Sequence, residues 1–128
     1  MPLLARCLVA TVGLLHLGFM VAEVFLWTTL VPKLGIYDQT QADATAAVGK
    51  NMGAYNGIFG VILLWLAWKA PELGARPSRT FSTWLLAGVV VAGLVGGATI
   101  AWTIPLFQSV PAIIALAAMW RTPESLKL

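Results

Sequence analysis

Of the 128 residues, 59% are apolar and 10% are charged, against roughly 45–50% and 25% in a soluble globular chain. Mean hydropathy is +0.86; so few charged side chains cannot solvate a body this small in water, which excludes a water-soluble monomer and makes lipid the solvent for a single domain over 1–128. The net charge of +3 and pI near 9.4 do not point to nucleic acid, because the cations do not cluster. Arg6, Lys33, Lys50, Lys69, Arg76, Arg79, Arg121 and Lys127 lie at or beyond the ends of apolar stretches, the pattern that sets membrane orientation. A lone Cys7 excludes an internal disulfide, a thiol-ligated cluster and a Cys-based zinc site.

The first apolar segment runs from about Leu3 to Val31, with a span over about 4–30 interrupted only by Arg6, His16 and Glu23. It exceeds the roughly 20 residues needed to cross the hydrocarbon. Glu23 and the continuation to Trp27 are unlike a cleaved secretory signal, so the segment is expected to be retained. Pro32 to Lys50 forms the outer loop, in which Thr40 and Asp43 suggest a short helix through Ala47. Met52–Ala70 is the second span and Phe81–Trp102 the third, joined by a turn over Lys69 to Arg79. Thr103 and Pro105 mark a tight hairpin into the fourth span, Ile104–Trp120, inside which Pro111 predicts a kink near Gln108. The expected fold is an all-α, integral membrane four-helix bundle.

Arg6, Lys69, Arg76, Arg79, Arg121 and Lys127 share one side and Lys33 and Lys50 the other. Positive-inside bias therefore puts both termini in the cytoplasm, and the expected location is a bacterial inner membrane crossed several times. Trp27 and Trp102 are expected at the outer boundary and Trp68, Trp84 and Trp120 at the inner one, with Trp65 a turn deeper. Gly53 with Gly57, Gly93 with Gly97, and the Gly88–Ala92–Gly96 stripe provide close helix packing. Packing within one chain is favoured over a homo-oligomer through the glycine-rich third helix.

His16, Met20, Glu23 and Trp27 fall on one helical face. A charged side chain at that depth costs roughly 2.5–3.5 kcal/mol on insertion scales, so Glu23 should face the bundle or a wet cavity. Asn51, Tyr55 and Asn56 begin the second span at the same depth, Thr99 ends the third, and Gln108 enters the fourth. The expectation is a ligand-binding pocket opening outward, formed by His16, Glu23, Trp27, Asn51, Tyr55, Asn56, Thr99 and Gln108. His16 would lie at its floor. One histidine and one carboxylate about 10 Å apart along a helix cannot ligate one ion together, so no metal is expected. No cofactor is expected either; haem on His16 is the weaker alternative.

His16-Leu-Gly-Phe-Met-Val-Ala-Glu23-Val-Phe-Leu-Trp27, Asn51-Met-Gly-Ala-Tyr55-Asn56-Gly57, Gly97-Ala-Thr99 and Gln108-Ser-Val-Pro111-Ala together resemble the bacterial small membrane protein family catalogued as domain of unknown function 1304. The resemblance extends over essentially the whole chain. It implies the four-helix fold and the polar layer and supplies no reaction.

Three functions compete. The first is binding, with transport as a variant, of a small amphipathic or aromatic molecule, in which the membrane carboxylate exchanges a proton for a cationic or polar ligand between aromatic walls. The second is a membrane isomerase or lyase acting on a lipid-soluble substrate, with Glu23 or Tyr55 as acid or base, His16 as a further candidate, and Asn56 or Gln108 holding an oxygen. The third is a structural or assembly subunit in which the polar layer only fixes helix register.

Overall fold

A computed structural model describes residues 1–121; Lys127, counted above among the cytoplasmic cations, lies outside the described residues. The described chain is all α, 88% helical with no strands. Its elements are α1 (Leu3–Phe25), α2 (Trp27–Lys33), α3 (Gln39–Ala44), α4 (Ala46–Leu73), α5 (Ala75–Thr99), α6 (Ile104–Phe107) and α7 (Ser109–Arg121). Four stretches are long and apolar enough to cross a membrane: α1, α4, α5, and α6 with α7. The protein is a multi-pass membrane bundle. In it α1 packs on α4 and α7, and α5 packs on α4 and on α6–α7.

The side chains are distributed as lipid requires. The shared core is built largely from small residues, Ala5, Val9, Val12, Ala67, Ala112 and Ala115 with Leu63, Leu86, Val89 and Met119. Larger ones such as Leu14, Ile58, Val61, Val91, Leu94 and Ile113 face outward. With hydrocarbon on both sides of the exchange, helices associate through close van der Waals contact, which small residues permit.

Glycines set that contact on both sides of the bundle. A Cβ on Gly60 would fall 2.8 Å from the Gly13 carbonyl oxygen, and one on Gly13 would fall 3.0 Å from the Gly60 oxygen. Farther along the pair Gly57 lies on Met20, Gly53 on Val24 and the Glu23 Cβ, and Gly49 on the Trp27 indole. Each four-residue step along α4 from Gly49 through Gly53 to Gly57 is matched by a step of three or four residues backward from Trp27 through Val24 to Met20, which fixes one antiparallel register. Across the bundle, Gly93 and Gly97 seat Ser109 and Pro105, Gly96 lies under Ile104, and the Ser109 hydroxyl donates to the Val90 carbonyl (2.9 Å). The glycine pairs read from the sequence thus pack within the chain. In the Gly88–Ala92–Gly96 stripe, by contrast, Ala92 is exposed and Gly88 only touches the Phe59 ring.

Several boundaries differ from the sequence reading. The first segment is not one helix to Val31: it breaks at Leu26, and α2 runs on to Lys33. The second span begins at Ala46 and continues to Leu73, and the third begins at Ala75, so the expected turn over Lys69 to Arg79 narrows to Gly74 at φ +85°. That backbone region favours glycine. The short outer helix is capped by Asp38, whose side chain accepts from the Gln41 N–H while Gln41 bonds back to the Asp38 N–H. This capping box starts it earlier than Thr40, and it ends at Ala44. The third span ends at Thr99, three residues before Trp102. The kink predicted from Pro111 is present as a full break at Gln108: Pro111 lies in the first turn of α7 and has no N–H for the Phe107 carbonyl.

The prolines that interrupt helical bonding leave acceptors that other groups take up. Pro71 cannot donate to Ala67, and the Arg6 Nε from α1 donates to that carbonyl oxygen instead (2.9 Å). Pro32 cannot donate to Thr28, and Gln39 Nε2 from α3 donates there (3.0 Å). Ala101, four residues before Pro105, accepts from the Ile104 N–H (3.0 Å). Substituting Arg6→Met is expected to lower stability in detergent by about 1.5–3 kcal/mol, the range for hydrogen bonds to charged groups. In a Pro71→Ala background, where residue 71 again donates to Ala67, most of that loss should disappear; thermal unfolding of the four proteins measures it.

Candidate functional site

Glu23 projects from α1 and Asn56 from α4, both half-buried. Asn56 Nδ2 donates to Glu23 Oε2 at 2.6 Å. An asparagine side chain is short, so this bond depends on the close backbones: Gly53 and Gly57 flank Asn56 in sequence and rest on Glu23–Val24 and Met20. Among the described residues no second donor reaches the carboxylate, which keeps Oε1 as an acceptor for another group.

His16 lies two turns below Glu23, roughly 10 Å along the axis. It is only 4% exposed. Nδ1 is 2.9 Å from the Val12 carbonyl oxygen, and since a carbonyl only accepts, Nδ1 is the donor and Nε2 the remaining nitrogen. The ring meets Phe19 edge-on at 5.5 Å and Phe59 at 6.3 Å between centroids. A haem on His16 needs Nε2 to face a space the size of a porphyrin, and this packing does not fit that group. Among the described residues no three His, Cys, Asp or Glu side chains gather as a metal site.

Trp27 closes the far end. The chain break at Leu26 turns its indole under α3, where Nε1 donates to Thr45 Oγ1 (3.1 Å), the ring stands edge-on to Tyr37, and the missing side chain of Gly49 makes room for it. With Val31 and Ala42 it forms a second small core, packed by Ile36, Tyr37, Ala46 and Met52. Trp27 is therefore a buried member of the cap, whereas the sequence suggested an interfacial belt residue. Trp65, Trp68, Trp84, Trp102 and Trp120 are exposed.

The structure thus gathers His16, Glu23, Asn56 and Trp27 along the α1–α4 seam and does not gather the rest. Tyr55 adjoins Asn56 in sequence but is 60% exposed on another face of α4. Asn51 is exposed at the start of that helix. Thr99 is exposed and donates to the Val95 carbonyl of its own helix. Gln108 belongs to the other half of the bundle, at the α6–α7 break against Gly93. Sequence reasoning missed Phe19, Phe59 and Thr45. Phe19 and Phe59 stand three residues from His16 and Asn56, a spacing that places each on the same helical face as its polar neighbour.

No curated protein and no solved structure matches the chain. The family described as a protein of unknown function, DUF1304, matches residues 10–120, a stretch that holds the whole α1–α4 seam from Val12 outward and the α5–α7 packing. The chain belongs to the DUF1304 family.

Proposed function

We propose that this bundle binds a small amphipathic or aromatic molecule, with a cationic or hydrogen-bond-donating group at Glu23. The observation that carries the reading is the carboxylate itself: within a membrane-spanning helix, half-buried, held on one oxygen by Asn56 at 2.6 Å and able to accept on the other. Intramembrane ionisable groups are costly and mark functional sites by default. Phe19 and Phe59 below it and Trp27 above it add aromatic faces, which attract organic cations. Of the two acid–base candidates Glu23 and Tyr55, Tyr55 is exposed away from the seam, which leaves the isomerase or lyase alternative resting on Glu23 with Asn56 alone.

The decisive test compares the protein with Glu23→Gln, which keeps the shape and most hydrogen bonding but removes the charge. With tetraphenylphosphonium as the probe in mild detergent, Kd should rise about tenfold or more in the variant, as expected for losing the Coulombic attraction between a carboxylate and an organic cation in a partly desolvated site. Thermal stability should change little. Binding to the unaltered protein should weaken as acid protonates the carboxylate, and the variant should show no such dependence. Equal affinities with equal pH profiles would leave Glu23 as a packing residue.

The bundle is further proposed to lie in a bacterial inner membrane with both termini cytoplasmic. Arg6, Lys69, Arg76, Arg79 and Arg121 share the end away from the α2–α3 cap, and cytoplasmic ends carry the excess of such residues. A cysteine replacing exposed Gln41 should react with an impermeant maleimide from outside intact cells, and one replacing exposed Arg76 should not, in each case with Cys7 replaced by serine. The reverse pattern would invert the orientation.

A further inference from the structure

At the end of the bundle opposite the α2–α3 cap, Arg76, Arg79, Thr80 and Trp120 line an open-sided cavity of about 380 Å³. Sequence reasoning assigned Arg76 and Arg79 only to topology and Trp120 only to the aromatic belt. Arg79 is nine-tenths buried, its guanidinium 5.9 Å from the centre of the Trp120 ring. Trp120 is in turn held to α5 by its Nε1 bond to Thr83 Oγ1 (3.2 Å). Arg76 is exposed in the first turn of α5, where the positive end of the helix dipole adds to its charge. The Thr80 hydroxyl donates to the Arg76 carbonyl (3.0 Å), so it stiffens this turn and leaves the donors to the two arginines.

We infer that this cavity is a site for the phosphate group of an anionic phospholipid, bound by the Arg76 and Arg79 guanidiniums beside Trp120. Two arginines line one cavity, and a guanidinium presents forked donors matched to phosphate oxygens. The depth favours lipid over a soluble phosphate: Trp68, Trp84 and Trp120 stand exposed at this end, and tryptophans concentrate at headgroup level. Trp84, exposed on α5 one turn beyond Thr80, and Phe81, exposed three residues before Trp84, give an acyl chain an apolar lane leading away from the cavity. The site is at the opposite end of the bundle from Glu23 and does not depend on what Glu23 binds.

The test is native mass spectrometry of the full-length protein in micelles containing equal amounts of phosphatidylglycerol and phosphatidylcholine, repeated with excess inorganic phosphate. The protein should retain phosphatidylglycerol preferentially, and Arg76→Gln should reduce the preference about fivefold, as expected for one arginine at an anionic surface. Arg79→Lys retains a charge but not the fork, so it should lower retention while the protein stays folded, and the pair of changes should remove the preference. Inorganic phosphate should not displace the lipid. Equal retention of the two lipids, or a preference unchanged in both variants, would overturn the inference. Displacement by inorganic phosphate would also overturn it, since the ligand would then be a soluble phosphate.

Discussion

The close approach of α1 and α4 is the constraint on which the rest of the structure depends. Between helices surrounded by lipid, apolar side chains gain nothing by leaving one hydrocarbon for another, so association rests on backbone proximity and a few polar contacts. Gly13 and Gly60 supply the proximity, each presenting a carbonyl oxygen where the other's side chain would have been. Gly57, Gly53 and Gly49 continue the contact to the far end, and the register they set brings Asn56 to Glu23 and Thr45 over Trp27. The polar site is a consequence of the packing.

The breaks in the helices follow a second rule: a spanning helix can give up a backbone bond where another donor takes its place. Arg6 and Gln39 perform that service for the carbonyls freed by Pro71 and Pro32. Both bonds join separate elements, α1 to α4 and α2 to α3, so each proline that weakens its own helix also creates a point of attachment for another. At Leu26 the interruption has a separate use, since it allows Trp27 to turn inward and close the seam above Glu23.

The number of spans, their order and the hairpin at Pro105 were legible because hydropathy and the cost of burying backbone polar groups leave few alternatives. Helix ends were less so. Pro71 and Pro77 fall within the turn expected over Lys69 to Arg79, yet one lies in the last turn of α4 and the other in the first turn of α5, where missing N–H groups are tolerated or replaced. In the polar layer, depth was legible and azimuth was not. Glu23 and Asn56 meet because both face the glycine seam, whereas Tyr55, one residue away and so about 100° around the helix, turns outward. Thr99 shows a different limitation: a threonine can satisfy its hydroxyl on its own helix, as it does with Val95, and then marks nothing between helices.

The most direct measurement of this account is the coupling between Glu23 and Asn56, obtained from a Glu23→Leu and Asn56→Leu double-mutant cycle read by unfolding in detergent. The cycle should be run in the unaltered protein and in a Gly60→Ala background, where the added methyl meets the Gly13 backbone. Gly18→Ala is the control, because nothing lies within 4 Å of its Cβ position. If glycine packing positions the site, the coupling should be about 1–2 kcal/mol in the unaltered protein and in Gly18→Ala, the upper range for polar contacts between membrane helices, and should largely vanish in Gly60→Ala. A coupling that survives Gly60→Ala intact would contradict the account, since the polar pair would then form without the close approach that is held to create it.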